Sequence, residues 1–369
     1  MSEKVPSVLR NRIMSLPKEQ LGALSEGENI TIKTFPVPNP GPKEVLIQNV
    51  AVASNPKDWK NPYWYPQKST IEGNDIAGYV VAVGEGVTGF KVGERVAALT
   101  KFDTLGNLYG AYAQYSIAPE STTFRIPESV AFEEASTIPL AYMTAALGLF
   151  KDLQLPEKST ESGQQPGIIL NGASTSVGAY VIQLAKEAGL FVIGTAGSSK
   201  EYAKSLGADV VIDYREHKDD DFISALVAAA EDHPVSHVFD AVSENGSTIP
   251  LSQVLLKTSP NGKGKITVVL PINEEEIKRA PEGISISRTW VRTAQQENEA
   301  FASRYYARAS GWLQPHARSP LRPNRVKLLP SGLESVRSGL ELLQNGKVHA
   351  EKLVYRISET PGIIVAPRQ

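Results

Sequence analysis

The residues that could do chemistry begin at Ile168-Ile169-Leu170-Asn171-Gly172-Ala173-Ser174-Thr175-Ser176-Val177-Gly178, which reads as an apolar strand, a turn of small residues and the start of a helix. A doubly wound domain holds a pyrophosphate at such a place. Backbone N–H groups and the helix dipole face the anion, and small side chains let it come close. The pattern GxGxxG reads Ala173-Ser174-Thr175-Ser176-Val177-Gly178 here, so only its last glycine is present. The hydroxyls of Ser174, Thr175 and Ser176 are further potential donors to a phosphate. Small-residue strand–helix turns also occur in α/β proteins that bind no nucleotide, so this motif alone does not decide.

The following strand ends Gly194-Thr195-Ala196-Gly197-Ser198-Ser199-Lys200. An NAD site needs a carboxylate there, ~20 residues after the glycines, to accept the ribose hydroxyls. Ser198, Ser199 and Lys200 instead supply two hydroxyls and an ammonium, which favours the 2′-phosphate of NADP. A structural use is equally available: Ser198 and Glu201 have capping-box spacing, with Lys200 a solvated helix lysine. The two uses are compatible, because a helix N-terminus attracts phosphate.

These motifs need a frame. From residue 167 onward, short apolar strands (167–171, 191–194, 210–212, 237–240, 265–270) alternate with helical stretches (178–188, 199–206, 221–230), the first two stopped by Gly189 and Gly207. That alternation predicts a parallel, doubly wound sheet. The first ~130 residues read as antiparallel β structure, with strands at 45–52, 79–83, 95–99 and 111–118 and glycine turns between. Residues 139–150 form a mostly apolar helix candidate. Near the end, Ser331 and Glu334 predict a capping box on a helix with the stripe Leu333, Val336, Leu340 and Leu343, and a closing strand at 353–357 rejoins the N-terminal β region.

Composition removes other possibilities. With 369 residues, two domains are expected. Lys plus Arg number 38 against 40 Asp plus Glu, a net charge of -2, which argues against a general nucleic-acid or anionic-membrane binder. The chain has no cysteine, which excludes disulfides, a thiolate nucleophile, iron–sulfur clusters and cysteine-ligated zinc. None of the five histidines forms an HExxH pair. No apolar run approaches the ~20 residues of a membrane span. The charged first 20 residues lack the core of a signal peptide, and Pro367-Arg368-Gln369 matches no retention signal, so a cytoplasmic setting is expected.

On these residues the chain resembles the medium-chain dehydrogenase/reductase superfamily over residues 28–357. The marks are Gly73-Asn74-Asp75-Ile76-Ala77-Gly78, Val92-Gly93-Glu94-Arg95-Val96, the nucleotide turn, Leu206-Gly207-Ala208-Asp209 with Asp213-Tyr214-Arg215, and Glu351-Lys352-Leu353-Val354. It departs from the zinc alcohol dehydrogenases, whose GHExxG has Asn74 in place of histidine here, and whose cysteine lobe is missing. It therefore looks like the zinc-free branch, with no metal. Within that branch it is similar to fungal trans-acting enoyl reductases of polyketide pathways, which share Ser174-Thr175, the NPxDxK stretch at Asn55-Pro56-Lys57-Asp58-Trp59-Lys60, and the threonine-bearing helix Tyr142-Met143-Thr144-Ala145-Ala146-Leu147.

The resemblance implies an α/β protein with a GroES-like β-rich catalytic domain (1–138 and 312–369) and a Rossmann-type NADP-binding domain (139–311). By the same resemblance, Lys57, Asp58, Trp59, Lys60, Ser174 to Val177, Ser198, Ser199, Lys200, Glu201 and Tyr214 line the NADP(H) site. Thr144 lies by the nicotinamide, Leu270 and Pro271 approach its ribose, and Met143, Thr144, Ala145, Ala146, Leu147, Gly148, Leu149 and Phe150 border the substrate. The implied reaction is hydride transfer from NADPH to the β-carbon of an α,β-unsaturated carbonyl, free or carrier-bound, with a polyketide synthase as a possible partner. Lys60 is the candidate catalytic donor to the enolate oxygen or else a solvated lysine. Tyr63, Tyr65 and Tyr142 are candidate proton donors or packing residues. Thr144 is a nicotinamide-side hydroxyl or is bonded back to its own helix. Asp75 braces its domain. Trp59, Tyr63, Trp64 and Tyr65 wall a cleft or form a packing lid. A charged stretch after the strand 265–270 discourages edge pairing and predicts a monomer. Quinone or carbonyl reduction, and a low-turnover NADP-binding partner of a synthase, remain as other readings. The segment from Ser287 to Pro323 has no assignment beyond shaping the entrance.

Overall fold

The structure, a computed structural model, describes residues 16–27, 29–65, 68–102, 107–158, 164–272 and 274–363. Asn273, the first residues and the C-terminal tripeptide discussed above lie outside the described residues. Seven of the ten residues of strand Glu44–Ala53 are aliphatic, and one lobe is built on it. Its neighbours are Asp75–Val83, Tyr115–Pro119 and the closing strand Lys352–Arg356, all antiparallel to it. The seven-stranded sheet runs Val326–Leu329, Lys352–Arg356, Glu44–Ala53, Asp75–Val83, Arg95–Leu99, Thr123–Arg125, with Tyr115–Pro119 paired to Glu44–Ala53 off this path. The C-terminal strand thus rejoins the N-terminal lobe, as the sequence predicts. A second sheet of Asn29–Pro36, Glu19–Glu26 and Ser69–Ile71 was not legible in advance.

The other lobe carries six parallel strands in the order Val210–Asp213, Phe191–Ala196, Gly167–Asn171, Val235–Asp240, Gly264–Val268, Ile284–Arg288. Ile168, Ile169, Leu170, Val192, Ile193, Val238 and Ile266 are buried, as a sheet covered on both faces requires. The chain builds outward from Gly167–Asn171 on one side and then returns to the other side. The crevice beyond that switch point is where such sheets take ligands.

Several expectations are corrected. The strand expected at 111–118 is Tyr115–Pro119, preceded by a lone bridge between Gly22 and Ala113. Helix Pro139–Leu147 ends three residues early and relaxes into a π turn, Gly148–Asp152. The Ser331/Glu334 capping box does not form. Ser331 is left-handed (φ 63°), residues Gly332–Ser335 make a 3-10 turn, and the helix is Val336–Gln344. The Leu333 N–H finds its acceptor instead in the Thr360 hydroxyl, at 2.9 Å. Strand Gly264–Val268 is an inner strand and Ile284–Arg288 is the edge, so the edge-pairing argument for a monomer was applied to the wrong strand. Within 287–323 lies helix Glu299–Trp312, which buries Ala302, Tyr305, Tyr306 and Ala309. Tyr306 stacks on Phe124 with centroids 5.3 Å apart and donates to the Pro139 carbonyl at 2.9 Å. Among the described residues no helix is long and apolar enough to cross a membrane.

Candidate active site

A cavity of about 1240 Å³ opens between the lobes, at the C-terminal ends of the parallel strands. That exceeds the roughly 300–1,000 Å³ of an ordinary ligand pocket and leaves room for two ligands.

The nucleotide turn follows from three local choices. Gly172 adopts φ +82°, and a Cβ there would lie 2.6 Å from Val242. Thr175 caps helix Ser176–Glu187, its hydroxyl oxygen accepting from the Gly178 N–H at 2.9 Å. Its own proton stays available to a ligand. A Cβ on Gly178 would stand 2.2 Å from the Gly172 carbonyl oxygen, so only glycine lets the helix approach the strand. The turn is held from behind, where Thr195 donates to Asn171 at 2.7 Å and Asn171 to Asp240 at 2.8 Å. Gly178→Val should therefore cost about 1–3 kcal/mol of stability and weaken nucleotide binding at least tenfold, read by fluorescence titration.

At the far end of this crevice lie Ser198, Ser199, Tyr214 and Arg215. Tyr214 packs over Gly197, where a Cβ would meet its hydroxyl at 3.0 Å. The Arg215 guanidinium grips Asp213 with two hydrogen bonds, of 2.8 and 2.5 Å, and holds that carboxyl far below its ordinary range. The acid on this neighbouring strand is thereby neutralised. Lys200 does not reach the cleft wall and pairs with Glu216 at 3.6 Å. Glu201 pairs with Lys204 at 3.1 Å. Helix Lys200–Ser205 has Ser199 as its N-cap residue, with no side-chain cap, so the Ser198/Glu201 capping box is also absent. Sequence reasoning noted Arg215 within a motif but did not place it in the site.

The opposite wall is helix Pro56–Trp64 and its neighbours. Lys57 faces the cleft and contacts Asp58 at 2.7 Å and Glu72 at 3.3 Å. Burial pulls its pKa down, but the two carboxylates outweigh that and raise it, so the ammonium is fixed and its charge matched. Asp58 lies beneath the wall, accepting from Tyr112 at 2.6 Å and from the Asn55 N–H at 2.9 Å. Lys60 lines the cleft and touches one carboxylate, Glu244 of the other lobe, at 2.6 Å. Below them Lys352 and Asp75 form a fully buried ion pair at 2.5 Å. Asn55 donates to Asp75 at 2.7 Å and accepts from Lys352 at 3.0 Å, and Asp75 also accepts from the Leu140 N–H at 2.6 Å. Asp75 thus braces the lobe, and Asn55 does so too. Asn74 is spent on Thr100 and the Lys101 carbonyl.

Thr144 reaches the cleft while its hydroxyl donates to the Leu140 carbonyl at 2.8 Å, leaving the oxygen as an acceptor. Of the expected substrate stretch it is the only member on the cleft wall. Met143, Ala145, Ala146, Leu147, Gly148 and Leu149 are buried in the core, and Phe150 packs against Tyr305 with centroids 5.6 Å apart. Tyr142 is also buried, donating to the Tyr305 carbonyl at 3.1 Å, with burial raising its pKa; it cannot reach a substrate. Trp59, Trp64, Tyr65, Val177, Leu270 and Pro271 line the cleft, whereas Tyr63 packs edge-on against Trp59.

Two family models match: the alcohol dehydrogenase GroES-like domain over residues 41–128 and the zinc-binding dehydrogenase over residues 176–302. The trans-enoyl reductase fsr4 of Gibberella fujikuroi is 34% identical over 86% of this chain and 94% of its own length. The chain belongs to the medium-chain dehydrogenase/reductase superfamily. Within this superfamily a chloroplast envelope quinone oxidoreductase homolog of Arabidopsis thaliana is 36% identical over 62% of this chain and 67% of its own. The CurK enoyl reductase structure superposes with a TM-score of 0.73 at 23% identity, over 92% of this chain and 99% of that one. The medium-chain fold is thus present in both lobes, GroES-like and Rossmann-like, and the chain falls in the enoyl reductase-like, zinc-free group. Among its described residues, no group of three or more His, Cys, Asp or Glu could hold a metal ion.

Proposed function

We propose that this medium-chain oxidoreductase is an NADPH-dependent, zinc-independent enoyl reductase that saturates a C=C bond conjugated to a carbonyl. The observation that carries this reading is one cleft joining a nucleotide turn to Lys60, a lysine restrained by a single, half-exposed carboxylate. The residues fit the cofactor. The Gly172 turn leaves the first-turn amides of helix Ser176–Glu187 for a pyrophosphate. Ser198, Ser199, Tyr214 and Arg215 suit a 2′-phosphate, with the one nearby buried acid, Asp213, already neutralised. Bound NADPH supplies the hydride. Thr144, with its oxygen free to accept, orients the carboxamide.

The chain's own task is to stabilise negative charge on the substrate oxygen. Lys60 can do this, because two of its three N–H donors remain after Glu244 is satisfied. Lys57 cannot do it as readily, since both Asp58 and Glu72 already claim it. Tyr65 is the tyrosine among the three candidates that lines the cleft, and on that ground the proton to the α-carbon is assigned to it. The substrate is a free or carrier-bound unsaturated carbonyl. Presentation by a polyketide synthase is the reading supported by the similarity to fungal trans-acting enoyl reductases.

The test is to incubate the protein with NADPH and an α,β-unsaturated thioester, with a quinone in parallel. Product two mass units heavier, formed with matching NADPH loss, supports the reading. Quinone turnover alone would favour the second reading, which rests on the Arabidopsis relative. The 2′-phosphate assignment has its own check. Ser198→Ala with Arg215→Ala should weaken NADPH about tenfold or more while NADH affinity stays within about twofold. Equal losses on both cofactors would contradict it.

A further inference from the structure

Six carboxylates are buried among the described residues: Glu44, Asp58, Glu72, Asp75, Asp213 and Asp240. Five of them face a cation. Glu44 pairs with Lys101, Asp58 and Glu72 with Lys57, Asp75 with Lys352, and Asp213 with Arg215. Asp240 is 0% exposed and has no lysine, arginine or histidine within ion-pair distance among the described residues. Its partners are all neutral. Oδ1 accepts from the Asn171 amide at 2.8 Å and from the Val242 and Ser243 N–H groups at 3.1 and 2.8 Å, and Oδ2 accepts from the Ser247 hydroxyl at 2.5 Å. An asparagine would make the same contacts, its oxygen taking the three N–H groups and its amide donating to Ser247. The negative charge is therefore surplus to the hydrogen bonding, and a buried charge without a counter-ion is costly.

The charge lies under the cofactor crevice. Asp240 ends strand Val235–Asp240, and its register partners are Asn171 on one side and Val268 on the other. Asn171 leads into the Gly172 turn. Val268 leads into Val269, Leu270 and Pro271, which line the cleft together with Ala241 and Val242. The bonds from Val242 and Ser243 hold the carboxylate at this C-terminal end of the sheet. The phosphates of a dinucleotide are anionic in both redox states, so a fixed anion opposes both alike. The nicotinamide ring differs, being neutral when reduced and positive when oxidised. A carboxylate under the crevice therefore discriminates between the two states. A unit charge at ~10 Å, in a medium of effective dielectric about 20, changes an affinity ratio by about tenfold.

We propose that Asp240 supplies a fixed negative charge that favours NADP+ over NADPH in the cleft and so makes bound NADPH a stronger hydride donor; this rests on the NADPH reading. In the transfer, a C–H bond of the reduced ring breaks and both its electrons go with the hydrogen to the β-carbon. The π pair of the double bond moves toward the substrate oxygen, so the ring is oxidised and the unsaturated carbonyl reduced. Positive charge grows on the ring and negative charge on the oxygen. Lys60 answers the negative end of that separation, and Asp240 answers the positive end through its field, without touching the ring.

The test measures the dissociation constants of NADP+ and NADPH by calorimetry, without substrate, for wild type and Asp240→Asn. We expect the ratio of the NADP+ constant to the NADPH constant to rise about threefold or more in the variant. Equal shifts of both constants, as loss of a purely structural contact would give, overturn the proposal, and so does a fall in the ratio. Should circular dichroism show Asp240→Asn unfolded, Ser247→Lys decides. Ser247 is partly exposed, and the substitution leaves Asp240 in place while bringing an ammonium beside it. The ratio should rise there too; an unchanged ratio overturns the proposal. If wild type takes NADH in place of NADPH, the NADPH reading falls, and the same ratio measured with NAD+ and NADH decides the role of Asp240. If wild type binds neither pair, both fall. An unchanged ratio in a protein that binds NADPH overturns the role of Asp240 alone.

Discussion

Lys352→Met should lower the unfolding free energy by about 3–5 kcal/mol, a large share of a typical protein's total. The Lys352 ammonium and the Asp75 carboxylate are 1% and 0% exposed and 2.5 Å apart. Removing the ammonium leaves a buried carboxylate facing only neutral donors, the Asn55 amide and the Leu140 N–H. The loss is not simply the value of the pair, since two charges also cost desolvation energy; it is the cost of orphaning one of them. The same change releases Asn55, which begins the helix carrying Lys57 and Lys60, so activity should fall as well. Urea denaturation followed by circular dichroism reads the stability. A loss of less than about 1 kcal/mol would mean that the lobe is not braced through this pair.

Lys60→Met should reduce kcat about hundredfold with nucleotide affinity little changed, the usual cost of deleting one donor to a developing oxyanion. The geometry makes the neighbouring lysine an internal control. Lys57→Met leaves both Asp58 and Glu72 without their cation, so its main effect should be on stability. Glu244→Gln, which loosens the restraint on Lys60 without removing it, should leave kcat within a few-fold. Steady-state kinetics on an enoyl thioester read the contrast. If Lys60→Met turned over at the wild-type rate, the oxyanion role would pass to backbone amides of the cleft.

The parallel lobe was legible because each strand is a short apolar run and Gly189 and Gly207 stop the helices after two of them. The nucleotide turn was legible in type, yet the role of Gly172 was not. The glycine pattern was aligned one residue later, and only the +82° torsion identifies Gly172 as the turn residue. The substrate stretch was misplaced for a plain reason. A helix apolar on all sides reads equally well as a pocket wall and as core, and Pro139–Leu147 is core. Ser331 and Glu334 have the spacing of a cap, but a left-handed Ser331 and the distant Thr360 hydroxyl overrule it. The ion pair of Lys352 with Asp75 joins residues 277 positions apart, and no local pattern encodes such a contact. The edge strand Ile284–Arg288 is partly polar and half-exposed, so it lacks the apolar run that marked its neighbours.

The central claim is that this cleft moves a hydride to the β-carbon of an unsaturated carbonyl. NADPH carrying two deuterium atoms at the reactive nicotinamide carbon, reacted with an enoyl thioester and followed by NMR of the product, tests it most directly. The account predicts one deuterium on the β-carbon and a solvent proton on the α-carbon. Deuterium at the carbonyl carbon, or none in the saturated product, would contradict it.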